Sequence, residues 1–109
     1  MRIEVVSEKL PAGFPTLRAE ARREGYRFLE RLASEWEAGV ARFDRPSEAL
    51  LAAHVTGVLA GLGGVTLDPV VPGALRIRRF YVHPAFRRHG IGRRLAVVLL
   101  QLLGTAGRA

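Results

Sequence analysis

The chain contains no cysteine, which excludes a disulfide scaffold, a thiolate zinc site and a cysteine nucleophile. Histidine is scarce too. His54, His83 and His89 are isolated from one another and do not form a spaced ligand set, so no metal is expected. Lysine is nearly missing, because sixteen of the seventeen basic residues are arginine. The bias extends through the acid-rich half, so a GC-rich coding sequence accounts for it better than phosphate-binding forks do. The N-terminal residues Met1 to Lys9 carry charges where a signal peptide needs an unbroken apolar segment, so secretion is not expected and a cytoplasmic protein is.

Acids are absent beyond Asp68. Residues 1–75 hold nine basic and ten acidic side chains, a net −1, whereas residues 76–109 hold eight arginines and no acid, a net +8; together they make the +7 of the whole chain. A field concentrated in this way attracts a polyanion, which can be nucleic acid, an anionic lipid surface or a phosphorylated small molecule. Composition alone does not choose among them. With 109 residues, 49% of them hydrophobic, the chain has material for one core, and a single domain over residues 1–109 is expected.

Residues 49–67 run nineteen positions without a formal charge, long enough for a membrane span. His54, Thr56, Thr66 and four glycines interrupt that reading, and Thr56-Gly57 and Gly63-Gly64 punctuate the run into short pieces. A hairpin of two buried strands, Leu50–Val55 and Val58–Leu67, is expected instead. A strand over Ile3–Val6 precedes it, followed by a helical stretch that Thr16 caps and Gly39 stops, with Gly25 as its joint. Phe28, Leu29, Leu32, Ala33 and Trp36 recur at steps of three and four and put one stripe against a core. A third strand over Ala74–Val82 and a helix over Arg93–Leu103 complete the order β-α-α-β-β-β-loop-α, an α/β layered domain.

The chemistry concentrates where that third strand runs into the last helix. Arg87-Arg88-His89-Gly90-Ile91-Gly92 places two glycines at spacing two, with a helix opening beside the second. Backbone without Cβ atoms can curl so that successive N–H groups converge with the unpaired donors of the helix's first turn, and the expected guest is a phosphate or pyrophosphate. The P-loop and the dinucleotide-binding fingerprint both fail on spacing. The segment resembles the acyl-CoA loop of the GNAT superfamily of N-acyltransferases: Arg or Gln, two residues of any kind, Gly, any residue, then Gly or Ala. Phe80-Tyr81-Val82-His83-Pro84 resembles the end of that family's fourth strand, and the preceding elements follow the family's order.

The resemblance implies a GNAT-like fold, a mixed and mainly antiparallel sheet flanked by helices, here shortened at its C-terminus. It also implies an N-acetyltransferase that moves an acetyl group from acetyl-CoA to a primary amine of a small molecule or peptide. Backbone amides of Arg88, His89, Gly90, Ile91, Gly92 and Arg93 would hold the pyrophosphate, with Arg87 adding charge, while the strand edge at Phe80, Tyr81 and Val82 would pair with the pantetheine arm. The N–H of Phe80 or Val82 would face the thioester oxygen as oxyanion donor. No catalytic side chain is assigned. Arg76 occupies the position where some members carry a general-base Glu, and the strands and helix that normally follow, with their Tyr acid, are not in this chain. The apolar helix therefore needs a cover, for which a second copy joined through the C-terminal third is expected. Two other readings stay open: a non-catalytic acyl-CoA-binding module, and a basic nucleic-acid-binding domain, disfavoured by the lack of interleaved exposed aromatics. Tyr81 is expected to be a packed strand residue, His83 a turn residue, and Glu48 and Asp68 solvated strand ends.

Overall fold

Alternating side chains along the uncharged run decide the architecture, because each of its two strands has an apolar residue on both faces and needs a layer on each side. The computed structural model describes residues 1–40, 42–45, 47–68 and 70–106, and the side chains of all these except Arg79 and residues 103–106. Strands β1 (Arg2–Val5), β2 (Ala49–Val55), β3 (Val58–Leu67) and β4 (Leu75–Val82) form one antiparallel sheet in the order β1-β2-β3-β4. Helices α1 (Phe14–Arg23) and α2 (Phe28–Glu37) follow β1, and α3 (Ile91–Ala106) follows β4.

One face of the sheet packs Leu50, Ala52, Leu62 and Tyr81 against Leu17 and Ala21 of α1 and Leu29, Leu32 and Trp36 of α2. The other packs Leu51, Ala53, Ala60 and Val65 against Ile91, Leu95 and Leu99 of α3. The expected stripe of α2 is the buried one, and the long uncharged run is the central hairpin. Thr56 (φ 48°) and Gly57 (φ 79°) turn that hairpin with both residues left-handed, the geometry that matches strand twist in a two-residue loop.

Several boundaries differ from the sequence expectation. α1 begins at Phe14 with Gly13 at its cap position and Pro15 in its first turn, not at Thr16. A Cβ at Gly13 would lie 2.7 Å from Leu59 Cβ, so the helix start sits directly on β3, and proline in a first turn gives up no hydrogen bond. β1 ends at Val5, although the Val6 N–H still reaches the Leu50 carbonyl at 2.8 Å. α3 starts at Ile91, two residues before the expected Arg93, because Arg94 already donates to the Gly90 carbonyl at 2.9 Å.

Two irregularities shape β4. Leu62 faces Tyr81 and Gly64 faces Arg78, so β4 advances three residues while β3 advances two, which is a bulge. It leaves Tyr81 on the α1/α2 face and Phe80 and Val82 on the α3 face. Gly63 makes room for this: a Cβ there would stand 2.7 Å from Phe80 Cζ. Beyond α3's cover, Ile77 is 66% exposed, and Val97 and Leu100 are also exposed. Within the described residues, β4 is paired on one edge only.

Candidate functional site

The open edge of β4 leads into the connection to α3, where the N–H groups of His83, Ala85, Phe86 and Arg87 are taken within the chain and, among the described residues, those from Arg88 to Arg93 are not. His83 donates its N–H to the Ala60 carbonyl at 2.8 Å, which directs His83 and Tyr81 toward β3. By antiparallel alternation, Val82 between them directs its N–H and C=O to the open edge. Pro84–Phe86 then forms a single 3-10 turn, capped by His83, whose Nδ1 accepts from the Ala85 N–H at 3.0 Å. His83 is thus a turn residue, as expected.

After that turn the chain takes an unusual path. Arg88 lies at φ 69° and Gly90 at φ 73°. Left-handed backbone at a residue with a Cβ costs energy and points to a constraint imposed from outside. The consequence is local: among the described residues, no acceptor within the chain takes the N–H groups of Arg88, His89, Gly90, Ile91, Gly92 or Arg93. Six consecutive donors at the positive end of a 16-residue helix make a place for an anion. They border a depression of about 260 Å³ lined by Val82, Phe86, Arg87, Arg88, Gly90, Ile91 and Gly92. Arg88, Arg93 and Arg94 are exposed and have no ion-pair partner among the described residues. Of the site residues picked from sequence, Val82, Arg87, Arg88, Gly90, Ile91 and Gly92 line this depression, whereas Phe80, Tyr81, His89 and Arg93 do not, and Tyr81 is buried on the α1/α2 face.

Arg87 is placed differently from its neighbours. Its guanidinium makes two parallel bonds to the Glu24 carboxylate at 2.9 and 2.6 Å, and its Nε donates to the Val82 carbonyl at 3.0 Å. The Tyr81 hydroxyl donates to the same carboxylate, and the guanidinium carbon lies 5.5 Å from the Tyr81 ring centroid. Arg87 and then Tyr81 hold the Glu24 carboxyl below its ordinary range. Burial and the Glu24 charge push the Tyr81 hydroxyl up, so neither is poised to transfer a proton near neutrality. Tyr81 is buried among Tyr26 and Phe28, a packed strand residue as expected. Glu24 was not among the residues singled out from the sequence. A signal existed, since an acid at the cap of a helix C-terminus, just past Arg22 and Arg23, opposes the helix dipole and needs a partner.

Other acids serve turns and ladders. Glu48 accepts from the Leu67 N–H at 3.2 Å, and Asp68 accepts from Val70 and Val71 at 2.8 and 3.0 Å. A larger groove of about 770 Å³ lies between the outer faces of α1 and α2, where Glu30 already takes Arg18 at 2.5 Å and Arg22 at 3.5 Å. No group of three or more His, Asp or Glu among the described residues is placed to hold a metal ion. No helix among them is long and apolar enough to cross a membrane.

The model of the acetyltransferase (GNAT) family matches residues 13–107. No curated protein matches the sequence. Among solved structures, a protein of Exiguobacterium sp. 255-15 assigned as an acetyltransferase is 26% identical with a TM-score of 0.86, over 96% of this chain and 70% of its own. A GNAT family acetyltransferase from Brucella melitensis in complex with acetyl-CoA is 22% identical with a TM-score of 0.65, over 97% and 71%. An aminoglycoside 6'-N-acetyltransferase complexed with coenzyme A is 19% identical with a TM-score of 0.68; the match covers 98% of this chain but 57% of that one.

Proposed function

Because this chain belongs to the GNAT acetyltransferase family, we propose that it binds acetyl-CoA at the β4–α3 connection and passes the acetyl group to a primary amine. The observation that carries the reading is the run of six unpartnered N–H groups from Arg88 to Arg93, wrapped by left-handed Arg88 and Gly90 beside an open strand edge. Those donors suit a pyrophosphate, and Arg88 and Arg93 add charge beside it. The open edge of β4 at Val82, whose N–H points away from β3, suits an amide of the pantetheine arm.

Acetyl-CoA supplies a thioester carbonyl; the new bond forms between the amine nitrogen and the acyl carbon, the C–S bond breaks, and the amine's surplus proton leaves with the thiolate or to water. The chain's contribution is positional. The Val82 N–H, aimed at the open edge, is the better oxyanion donor, since the bulge at residues 79–80 interrupts the alternation at Phe80. Holding both reactants in contact supplies the rest. No carboxylate stands on β4, where Arg76 and Arg78 occupy the α1/α2 face opposite Thr66 and Gly64, so proton removal falls to water or to a group brought with the acceptor. That same observation supports a second reading, a coenzyme A-binding module without turnover. The exposed Val97, Leu100 and Ile77 beside the unpaired β4 edge support self-association of the chain in the cytoplasm, where acetyl-CoA is available.

Calorimetric titration with coenzyme A tests the site: micromolar binding by the wild type and loss of it in a folded Gly90→Val variant are expected. Equal affinity in both sinks the assignment. Turnover of acetyl-CoA over a panel of amines, run beside sedimentation equilibrium, separates the enzyme from the binding module and shows whether activity tracks a dimer.

A further inference from the structure

Glu24 lies sixty-three residues before Arg87, at the joint between α1 and α2, where Gly25 turns the chain at φ 89°. Its carboxylate takes both arms of the Arg87 fork and the Tyr81 hydroxyl. Arg87 meanwhile uses Nε on the Val82 carbonyl at 3.0 Å, the edge carbonyl just before the loop. One planar guanidinium is therefore fixed on three sides: by the helix joint, by the end of β4, and from below by the Tyr81 ring. The loop donors begin at the next residue. Arg88 is left-handed, a conformation that persists only where its surroundings over-determine it, and Arg87 is the sole member of the loop whose side chain is tied to another element among the described residues.

We propose that Glu24 is a positioning residue for coenzyme A: by clamping Arg87 to the α1–α2 joint and to Val82, it holds the loop donors from Arg88 onward in their binding arrangement. The inference rests on the coenzyme A reading above. It also gives Arg87 a role opposite to that of a charge donor. If the guanidinium acted as a ligand of the pyrophosphate, Glu24 would compete for it, and removing the Glu24 charge would tighten anion binding. As a clamp, the same removal loosens the loop and weakens binding, although the surroundings of the anion become more positive. Lysine at position 87 keeps the charge but has no fork, and cannot span the carboxylate and the Val82 carbonyl together.

The sign of one substitution decides. Glu24→Gln is expected to weaken coenzyme A binding roughly tenfold, and Arg87→Lys to do the same. The double variant should be no worse than either alone, since both remove one unit. Glu30→Gln, which removes an equally paired acid on α2, controls for the loss of a negative charge and should leave affinity unchanged. Tighter or unchanged binding in Glu24→Gln overturns the proposal. A second readout needs no coenzyme A. The His83 and Arg94 amides, bonded to the Ala60 and Gly90 carbonyls, flank the loop, and their hydrogen exchange should quicken in Glu24→Gln while the Leu95 amide deeper in α3 stays protected. Unchanged exchange at His83 and Arg94 also overturns it. If the wild type binds no coenzyme A, the functional reading fails, and the exchange rates alone decide whether the clamp orders the loop.

Discussion

Two glycines two residues apart should respond to the same substitution with opposite signs. Gly90 lies at φ 73°, and a Cβ there would meet nothing within 4 Å, so Gly90→Ala is penalised by backbone conformation alone. Left-handed geometry costs an L-residue about 1–2 kcal/mol, and restricting the unfolded chain returns about 0.4–1 kcal/mol. The net loss is therefore about 1 kcal/mol, worth roughly 5 °C of Tm in a domain of this size. Gly92 belongs to the first turn of α3, and its Cβ would make an ordinary 3.7 Å contact with Val82 Cγ2. Alanine is the better helix former by up to about 1 kcal/mol in a helix interior, and by less in a first turn, so Gly92→Ala should raise Tm by roughly 2 °C. Coenzyme A affinity should fall in Gly90→Ala, where relaxation of the strain turns the loop donors away, and should persist in Gly92→Ala. Scanning calorimetry with and without coenzyme A measures both quantities. A shift of the same sign in the two variants would refute the reasoning that conformation, rather than space, makes Gly90 a glycine.

Three further outcomes follow from the same geometry. Gly63→Ala should destabilise by about 1–3 kcal/mol in a urea titration, because its Cβ would stand 2.7 Å from the Phe80 ring and β4 must shift at its bulge; a wild-type midpoint would mean that the ring moves freely. Glu24 titrates below its ordinary value of 4.5, held down by Arg87 and Tyr81 with Arg23 adding to the field, so its contribution is complete above that pH and is lost as pH falls through the lower folded value. Wild type and Glu24→Gln should therefore differ in unfolding midpoint at pH 7, and the difference should shrink as pH falls below 4.5; a difference that stays constant on acidification would contradict the assignment. Coenzyme A affinity should fall only shallowly between low and moderate salt, whereas a steep log-linear loss paralleled by oligonucleotide binding would favour a nucleic-acid surface.

The order of elements was legible in the sequence because it rests on local physics. The uncharged run punctuated at Thr56-Gly57, the three-and-four spacing from Phe28 to Trp36 and the glycines at 90 and 92 each act over a few residues, and neighbouring side chains are enough to reveal them. Element starts were less legible. Gly13 caps α1 because Leu59 lies 2.7 Å from where its Cβ would be, a fact about a strand forty-six residues away, whereas Thr16 carried the better local cap signal.

The candidate site divides along the same line. The sequence by itself determined that a donor-rich loop follows an aromatic strand and opens a helix, since backbone N–H groups belong to every residue and only glycine and the helix start must be specified. Tertiary structure alone decided what each side chain does there. Arg87 and Arg88 are identical neighbours in the sequence, yet one faces solvent while the other is committed to Glu24 and Val82. Nothing local separates them, because the partner acid arrives only when α1 packs across the sheet and carries its C-terminal cap to the end of β4. Which backbone groups are spare and which charges are paired is set by that long-range packing, and the chemistry of the loop depends on both.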